Sequence, residues 1–268
     1  MKISIKEYDE IKALRASDLS ALDKSPAHYQ HHIATRPDSA SMAFGRGTHA
    51  AVLEPAAFST QYAIAPKVDK RTKEGKAAWA EFEANNAGRE ILSQEDGDRI
   101  GGIIQAIHGH GTATKILQAL SAVEESFTWD DGGIPCKSRL DGYSIKLGAV
   151  VDLKTTRDAS LSAFSRAIVS YGYHRQAAFY LRAAKPAALH LDSFVFICVE
   201  SEPPHAVAVY ALDAAAIAQG DAEVSRLLEV YRKCIETGVW PGYADEIKTI
   251  QIPKWAYRDV PFEGEPRF

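Results

Sequence analysis

The stretch that decides the fold lies in the middle of the chain and reads Leu140-Asp141-Gly142, followed by Val150-Val151-Asp152-Leu153-Lys154-Thr155. In a β-strand, side chains at i and i+2 share a face, so Asp152 and Lys154 point one way while Leu153 points into the core. We expect Asp141 to end the preceding strand at an Asp141-Gly142 turn and to lie opposite Asp152. Because hard divalent cations prefer oxygen ligands, this spacing predicts a cation site, with Lys154 placed to hold or activate a water.

Length and composition set the frame for this site. The chain has 268 residues, of which 46% are hydrophobic, enough for a substantial core. It contains no run of eighteen apolar residues, and its first ten residues are charged where a signal peptide would be apolar. We therefore expect a soluble, cytoplasmic protein with no membrane partner. Three widely spaced cysteines predict reduced thiols rather than a disulfide framework or a zinc knuckle.

The charge pattern narrows the classes of partner. A net charge of −4 argues against a protein that coats nucleic acid by charge alone, but it allows an enzyme that encloses nucleic acid in a local basic channel. The densest basic stretch is residues 67–76. We favour a solvated loop and helix start there over a phosphate contact, since charge runs usually form surface.

The order of patterns predicts one α/β domain over residues 1–268, with no internal repeat or linker. A mainly helical part covers about 1–120, an α/β core about 121–240, and an irregular tail 241–268. Short strands separated by glycine-containing turns begin near residue 124, whereas capped, periodic segments precede them. The expected helices are a short one opened by an N-cap at Ser17, one through 49–53 entered by glycines, and 73–84, 94–108, 161–170, 173–184 and 214–236. The expected strands are 125–129, 134–141, 147–155, 193–200 and 206–212.

The pattern of Asp141, Asp152 and Lys154 is by itself only weak evidence for a catalytic site. Three further residues strengthen that interpretation. Gln176 and Tyr180 stand at i and i+4 on a predicted helix, so they share a face that can look onto the cation site. An ordinary amphipathic helix with Tyr180 in the core explains them equally well. His49 follows two glycines in an apolar segment, where a lone histidine is more often a hydrogen-bonded partner than a ligand.

A zinc hydrolase is poorly supported by the remaining histidines. His28 and His32 have HxxxH spacing, but no glutamate or thiol accompanies them in the pattern that such enzymes use.

Taken in order, four motifs resemble the RecB-like branch of the PD-(D/E)xK nuclease superfamily: Gly45-x-x-x-His49, Leu140-Asp141-Gly142, Asp152-Leu153-Lys154 and Gln176-x-x-x-Tyr180. Within that branch, the chain is most similar to the RecE-type phage exonucleases, the C-terminal domain of exonuclease VIII. Three other stretches resemble that family, so the likeness spans nearly the whole chain: Leu19–Tyr29, Phe44–Pro55, and Ile250–Ala256 with its Pro253-Lys254-Trp255.

The resemblance implies a fold, an activity and partners. The fold is a PD-(D/E)xK core, a mixed central β-sheet flanked by helices, with helical N-terminal additions. The activity is Mg²⁺-dependent 5′→3′ digestion of double-stranded DNA ends, with Mn²⁺ able to replace Mg²⁺, leaving 3′ tails for recombination by strand annealing. The partners are a single-strand annealing protein and further copies of the chain in a ring of three or four.

The resemblance also implies a role for each site residue. Asp141, Asp152 and the Leu153 carbonyl ligate the metal, and His49 lies on or beside it. Lys154 orients the attacking water, whereas Gln176 and Tyr180 position the scissile strand. An additional ligand from the first strand is left open among Glu124, Glu125 and Asp131.

Ser17 resembles the serine that related phage exonucleases use to bind a 5′-phosphate, with Arg15 as a weaker candidate for the same pocket. Exposed N–H groups at a helix start favour an anion, although a plain N-cap explains Ser17 at least as well.

Two other functions stay open on the sequence. One is a RecB-like single-strand or end-processing nuclease without a ring. The other is a catalytically inactive DNA-binding module, against which the retention of Asp141, Asp152 and Lys154 argues.

Overall fold

A computed structural model describes residues 2–36 and 39–253. The part of the predicted tail from residue 254 onward lies outside the described residues. It includes Lys254 and Trp255, which belong to the C-terminal stretch that resembles the RecE-type family. The helices are α1 (Ile5–Glu10), α2 (Ala16–Lys24), α3 (Pro26–Thr35), α4 (Ala40–Leu53), α5 (Pro55–Gln61), α6 (Lys73–Asn85), α7 (Gln94–Gly109), α8 (Gly111–Gln118), α9 (Leu161–Tyr171), α10 (Tyr173–Ala184) and α11 (Ala214–Thr237). The strands are β1 (Tyr62–Ile64), β2 (Glu90–Leu92), β3 (Ala122–Asp130), β4 (Pro135–Ser144), β5 (Ala149–Thr156), β6 (Ser193–Glu200) and β7 (Val207–Ala211).

A mixed five-stranded sheet in the order β3-β4-β5-β6-β7 forms the centre of the fold. Neighbouring strands are antiparallel except β5 and β6, which are parallel and joined through α9 and α10. Strands β1 and β2 form a separate parallel pair. The predicted class, an α/β fold with a mixed central sheet flanked by helices, is confirmed.

Helices cover both faces of this sheet because its central strands are apolar on both sides. Along β5, Val150 packs in a cluster with residues of α9 and α10. The next residue, Val151, and then Leu153 pack on the other side with residues of α4 and α7. The helix carrying Gln176 therefore lies on one face of the sheet and the helix carrying His49 on the other.

Three local predictions were wrong. Asp141 and Gly142 do not form a turn, because β4 continues to Ser144 and the chain reverses at residues 145–148 instead. Ser17 is not an N-cap: α2 begins at Ala16, and the Asp18 carboxylate accepts the Arg15 N–H at 2.9 Å.

The third error concerns the glycines before His49, which do not open a helix. Helix α4 begins at Ala40, and its N-cap Ser39 accepts the N–H of Met42. Gly47 lies inside that helix, where a Cβ would come within 3.3 Å of Leu92. Its small size allows α4 to approach the strand that contains Leu92.

Within residues 2–36 and 39–253, no helix is both long enough and apolar enough to cross a bilayer.

Candidate active site

The candidate site lies where β4 and β5 diverge. Their ladder runs from Ser144 opposite Ala149 to Gly142 opposite Val151 and stops there. Continued by one residue, the register places Asp141 opposite Asp152, as the sequence predicts. The Asp141 side chain takes the place of the missing backbone partner, because its Oδ2 accepts the Leu153 N–H at 2.9 Å. Because the strands separate here, side chains from helices on both faces of the sheet can contact the carboxylates.

Glu124 adds a third carboxylate from β3. The β3–β4 pairs on either side, Val123 with Gly142 and Glu125 with Leu140, put Glu124 directly across from Asp141. Glu124 has a φ of 51°, a left-handed conformation that is uncommon for residues other than glycine and is often found at functional sites. Burial and the Asp141 charge raise the pKa of Glu124, while Arg139 Nε donates to its Oε2 at 2.7 Å and opposes that rise.

His49 approaches the same carboxylates from α4. Its Nδ1 lies 3.3 Å from Asp141 Oδ2, and one ligand atom each from His49, Glu124 and Asp141 lie within 4.8 Å of one another. Burial opposes a charge on the ring, but Asp141 outweighs it and raises the pKa of His49 to about 9. The His49 charge in turn holds the pKa of Asp141 below its usual value in spite of burial. Two carboxylates and an imidazole form a donor set suited to a divalent cation, which would compete with the ring proton.

Asp152 and Lys154 form a buried ion pair beside this group. Lys154 Nζ lies 2.6 Å from Asp152 Oδ2 and 4.8 Å from the centre of the Tyr173 ring. Burial raises the pKa of Asp152 to about 6, although Lys154 acts in the opposite direction. The Asp152 and Asp141 carboxylates overcome the effect of burial on Lys154 and raise its pKa. Lys154 is therefore held as a cation next to the carboxylates.

Helix α10 brings Gln176 and Tyr180 to the other side of Asp152. Gln176 Nε2 is 3.2 Å from Asp152 Oδ1 and 3.1 Å from the Tyr180 hydroxyl. The predicted i, i+4 pair thus faces the carboxylates, rather than forming only an amphipathic packing surface. Burial raises the pKa of Tyr180 well above its usual value, so this hydroxyl keeps its proton.

A cavity of about 460 Å³ opens next to Gln176 and Tyr180. The two residues with a predicted phosphate role, Arg15 and Ser17, line it, although Ser17 is the second residue of its helix rather than the cap. Arg15 is paired with Asp9 at 2.9 Å. Basic and aromatic side chains make up much of the remaining wall: Tyr8, Lys137, Arg139, Tyr171 and Tyr173.

The structure brings six of the predicted site residues together: His49, Asp141, Asp152, Lys154, Gln176 and Tyr180. Leu153 is also there through its N–H, and its carbonyl as a ligand stays a prediction. Of the three carboxylates left open, Glu124 joins the cluster. Glu125 instead accepts from the Tyr143 hydroxyl at 2.8 Å, and Asp131 pairs with Arg182 at 3.1 Å.

Sequence reasoning missed Arg139, which holds Glu124. Arg139 precedes Asp141 by two residues in one strand, so the period of two that pairs Asp152 with Lys154 could have placed it beside the site. Tyr173 was also missed. Nothing in its local pattern distinguishes it from a core aromatic residue at a helix start.

A mixed sheet with carboxylates and a lysine at the divergence of two central strands is the arrangement of a PDDEXK-like domain. Residues 15–253 match the family described as "PDDEXK-like domain of unknown function (DUF3799)", and the chain belongs to that family. No curated protein matches its sequence.

Two solved structures are similar to this chain. A protein from Eubacterium rectale named "putative exonuclease" is 12% identical, with 94% of this chain and 97% of the other covered at a TM-score of 0.56. A phage related exonuclease from Haemophilus somnus 129PT is 16% identical, with 65% of this chain and 91% of the other covered at a TM-score of 0.37. At 12% identity, the likeness to the Eubacterium rectale protein shows a common fold alone.

Proposed function

We propose that this protein is a metal-dependent nuclease that digests the 5′ strand of double-stranded DNA ends and leaves 3′ tails for recombination by strand annealing. The convergence of Asp141 and Asp152 with Lys154, where β4 and β5 separate, carries the proposal. A buried lysine between carboxylates costs stability through desolvation, and a module that only binds DNA gains nothing from it. Family membership and the name of the Eubacterium rectale protein support a nuclease.

Mg²⁺, or Mn²⁺ in its place, fits the donor set. Asp141 and Asp152 would hold it with the Leu153 carbonyl, and His49 and Glu124 lie close enough to take part. Asp152 Oδ2 is buried and paired with Lys154 Nζ at 2.6 Å, so Asp152 would share this charge between the lysine and the cation. Such a cation supplies neutralisation of phosphate charge and lowers the pKa of a coordinated water.

The residues around this position divide the remaining work. Lys154 holds a water in line with the scissile phosphorus. That water forms a new P–O bond while the bond from phosphorus to the 3′ oxygen breaks, which frees a nucleotide with a 3′ hydroxyl and leaves a 5′-phosphate on the shortened strand. Gln176 and Tyr180 position the strand together: the Tyr180 hydroxyl donates a hydrogen bond to it, and Gln176 Nε2, which donates to that hydroxyl and to Asp152, holds the hydroxyl in place. The cavity beside them, lined by Arg15 and Ser17, receives the 5′-phosphate of the terminal nucleotide.

We propose a ring of three or four copies around the DNA, which would keep the enzyme on its substrate, and an annealing protein as the recipient of the 3′ tail. The chain has a mass of 29.3 kDa, so the mass of the native particle measured by light scattering distinguishes a ring from a monomer.

The first test removes the ligands. Asp141→Asn and Asp152→Asn keep the side-chain shape and remove the charge, so each is expected to nearly abolish cleavage and to weaken Mn²⁺ binding measured by calorimetry. Asp192→Asn, at an exposed carboxylate outside the cluster, is the matched control and should cleave as the wild type does. Full cleavage by Asp152→Asn in a folded protein would overturn the assignment. Wild-type DNA binding without cleavage in any divalent metal would favour an inactive module.

A further inference from the structure

Tyr171 is an exposed aromatic residue at the mouth of the cavity. It is the last residue of α9 and is 66% exposed, although a tyrosine ring offers a large apolar surface. It lines the same cavity as Arg15, Ser17 and Gln176. Its exposure is therefore at the entrance to the site rather than on a remote surface.

Aromatic contacts connect Tyr171 to the catalytic lysine. The centres of the Tyr171 and Tyr173 rings are 5.5 Å apart with 31° between their planes, and Tyr173 in turn lies under Lys154 Nζ. One ring thus separates the exposed tyrosine from the ammonium. A nucleotide whose phosphate lies near Lys154 would carry its base toward the mouth of the cavity.

The backbone fixes the direction of Tyr171. Gly172 follows it with a φ of 69°, ends α9 and begins the turn into α10. A Cβ at that position would lie 2.5 Å from the Arg175 guanidinium, whose Nη1 pairs with Asp23 at 2.6 Å. The junction is therefore held by tertiary contacts, so that Tyr171 projects from a fixed turn.

We propose that Tyr171 is a stacking platform for the base of a nucleotide at the strand end being digested. This inference rests on the proposed nuclease function and adds to it a binding site for a nucleobase. Stacking on a tyrosine ring tolerates every base because each has a π face, so the platform would hold the strand without imposing sequence preference. Together, the contacts to the 5′-phosphate and the stacked base would set how far the digested strand enters the cavity.

The test uses duplexes that carry a base or an abasic nucleotide at the first, second or third position from the 5′ end. Affinity is measured in Ca²⁺, chosen to limit turnover. Wild type should bind the duplex with the base roughly ten-fold more tightly than its abasic form at one of these positions. Tyr171→Ala should bind both forms equally, and Tyr171→Phe should behave as wild type since the ring remains.

Val169→Ala is the matched control because Val169 is 72% exposed on the same helix. It should keep the preference for the base. If Tyr171→Ala weakens binding of the abasic and base-containing duplexes alike, or weakens neither, there is no stacking platform. If wild type binds neither duplex, the proposed function itself fails, which is a different outcome from the loss of base dependence.

Discussion

At the scale of single residues, the site is built from charges whose burial is costly. Asp152 is fully buried, and its partner Lys154 is mostly buried. Removing water from two such groups costs several kcal/mol per ion before their attraction is counted. An apolar pair would fill the space at less cost, which supports the chemical role proposed for Asp152 and Lys154.

Lys154→Gln tests that role. If Lys154 orients the water, the chemical step should slow by about 10²–10⁴. DNA affinity in Ca²⁺ should fall far less, because the ammonium lies among carboxylates that offset its attraction for phosphate. Single-turnover rates and a binding titration give the two quantities, with Lys146→Gln in the exposed β4–β5 turn as the control. A parallel loss of rate and affinity would make Lys154 chiefly a phosphate contact.

Ser17→Ala tests the terminal phosphate. Since Ser17 is not the N-cap of α2, its removal should cost little stability, and its side chain lines the cavity. Wild type should digest a 5′-phosphorylated duplex faster than a 5′-hydroxyl duplex, and Ser17→Ala should lose much of that preference. Initial rates on both duplexes measure it. If Ser17→Ala keeps the full preference for the 5′-phosphorylated duplex, or if wild type shows none, Ser17 lines the cavity without binding the phosphate.

At the scale of elements, the sequence predicted the helices and strands whose own hydrophobic pattern is clear. It missed the features that contacts with other parts of the chain decide. Helix α10 and strand β6 have the predicted bounds, since α10 shows helical periodicity and β6 is a short apolar run with a polar residue at each end. Helices α3 and α8 were missed because they begin at Pro26 and Gly111, residue types that more often mark the end of a helix. The Asp141-Gly142 turn was wrong because strand pairing overrode the usual preference of Asp-Gly for turns.

The candidate site residues were predictable where local periodicity alone sets which way a side chain points. Lys154 and Asp152 follow from the period of a strand, and Gln176 with Tyr180 from that of a helix. Glu124 could not be chosen over Glu125 from the sequence, because they are adjacent and only the left-handed backbone at Glu124, with its register against Asp141, sets which one faces the cluster.

Gly220→Ala tests how α10 is held over the site. A Cβ on Gly220 of α11 would lie 2.1 Å from the His174 carbonyl oxygen, so α10 and α11 must separate. We expect a loss of about 3 kcal/mol in the free energy of unfolding, together with slower cleavage as Gln176 shifts. Gly101→Ala, in α7 with nothing within 4 Å of the new Cβ, should instead gain about 1 kcal/mol. Denaturant unfolding of both variants checks the pair, and equal stabilities would contradict the close approach.

At the scale of the whole molecule, a sheet with helices on both faces allows three strands and two helices to supply one site. Carboxylates come from β3, β4 and β5, His49 from α4 on one face, and Gln176 from α10 on the other. With a net charge of −4 over the chain, the proposed binding of DNA would depend on local features such as the basic residues of the cavity. The cavity opens beside Gln176, whose Nε2 contacts Asp152, so a strand end that enters the cavity would lie close to the carboxylates.

The most direct measurement of the central claim is digestion of a linear duplex labelled at either the 5′ or the 3′ end, in Mg²⁺ and in EDTA. In Mg²⁺ the 5′ label should be released first in a mononucleotide, while the 3′-labelled strand shortens gradually and a closed circular duplex stays intact. EDTA should stop both the release of the 5′ label and the shortening of the 3′-labelled strand. Release of the 3′ label first, cutting of the circle, or digestion that continues in EDTA would contradict a metal-dependent 5′→3′ exonuclease.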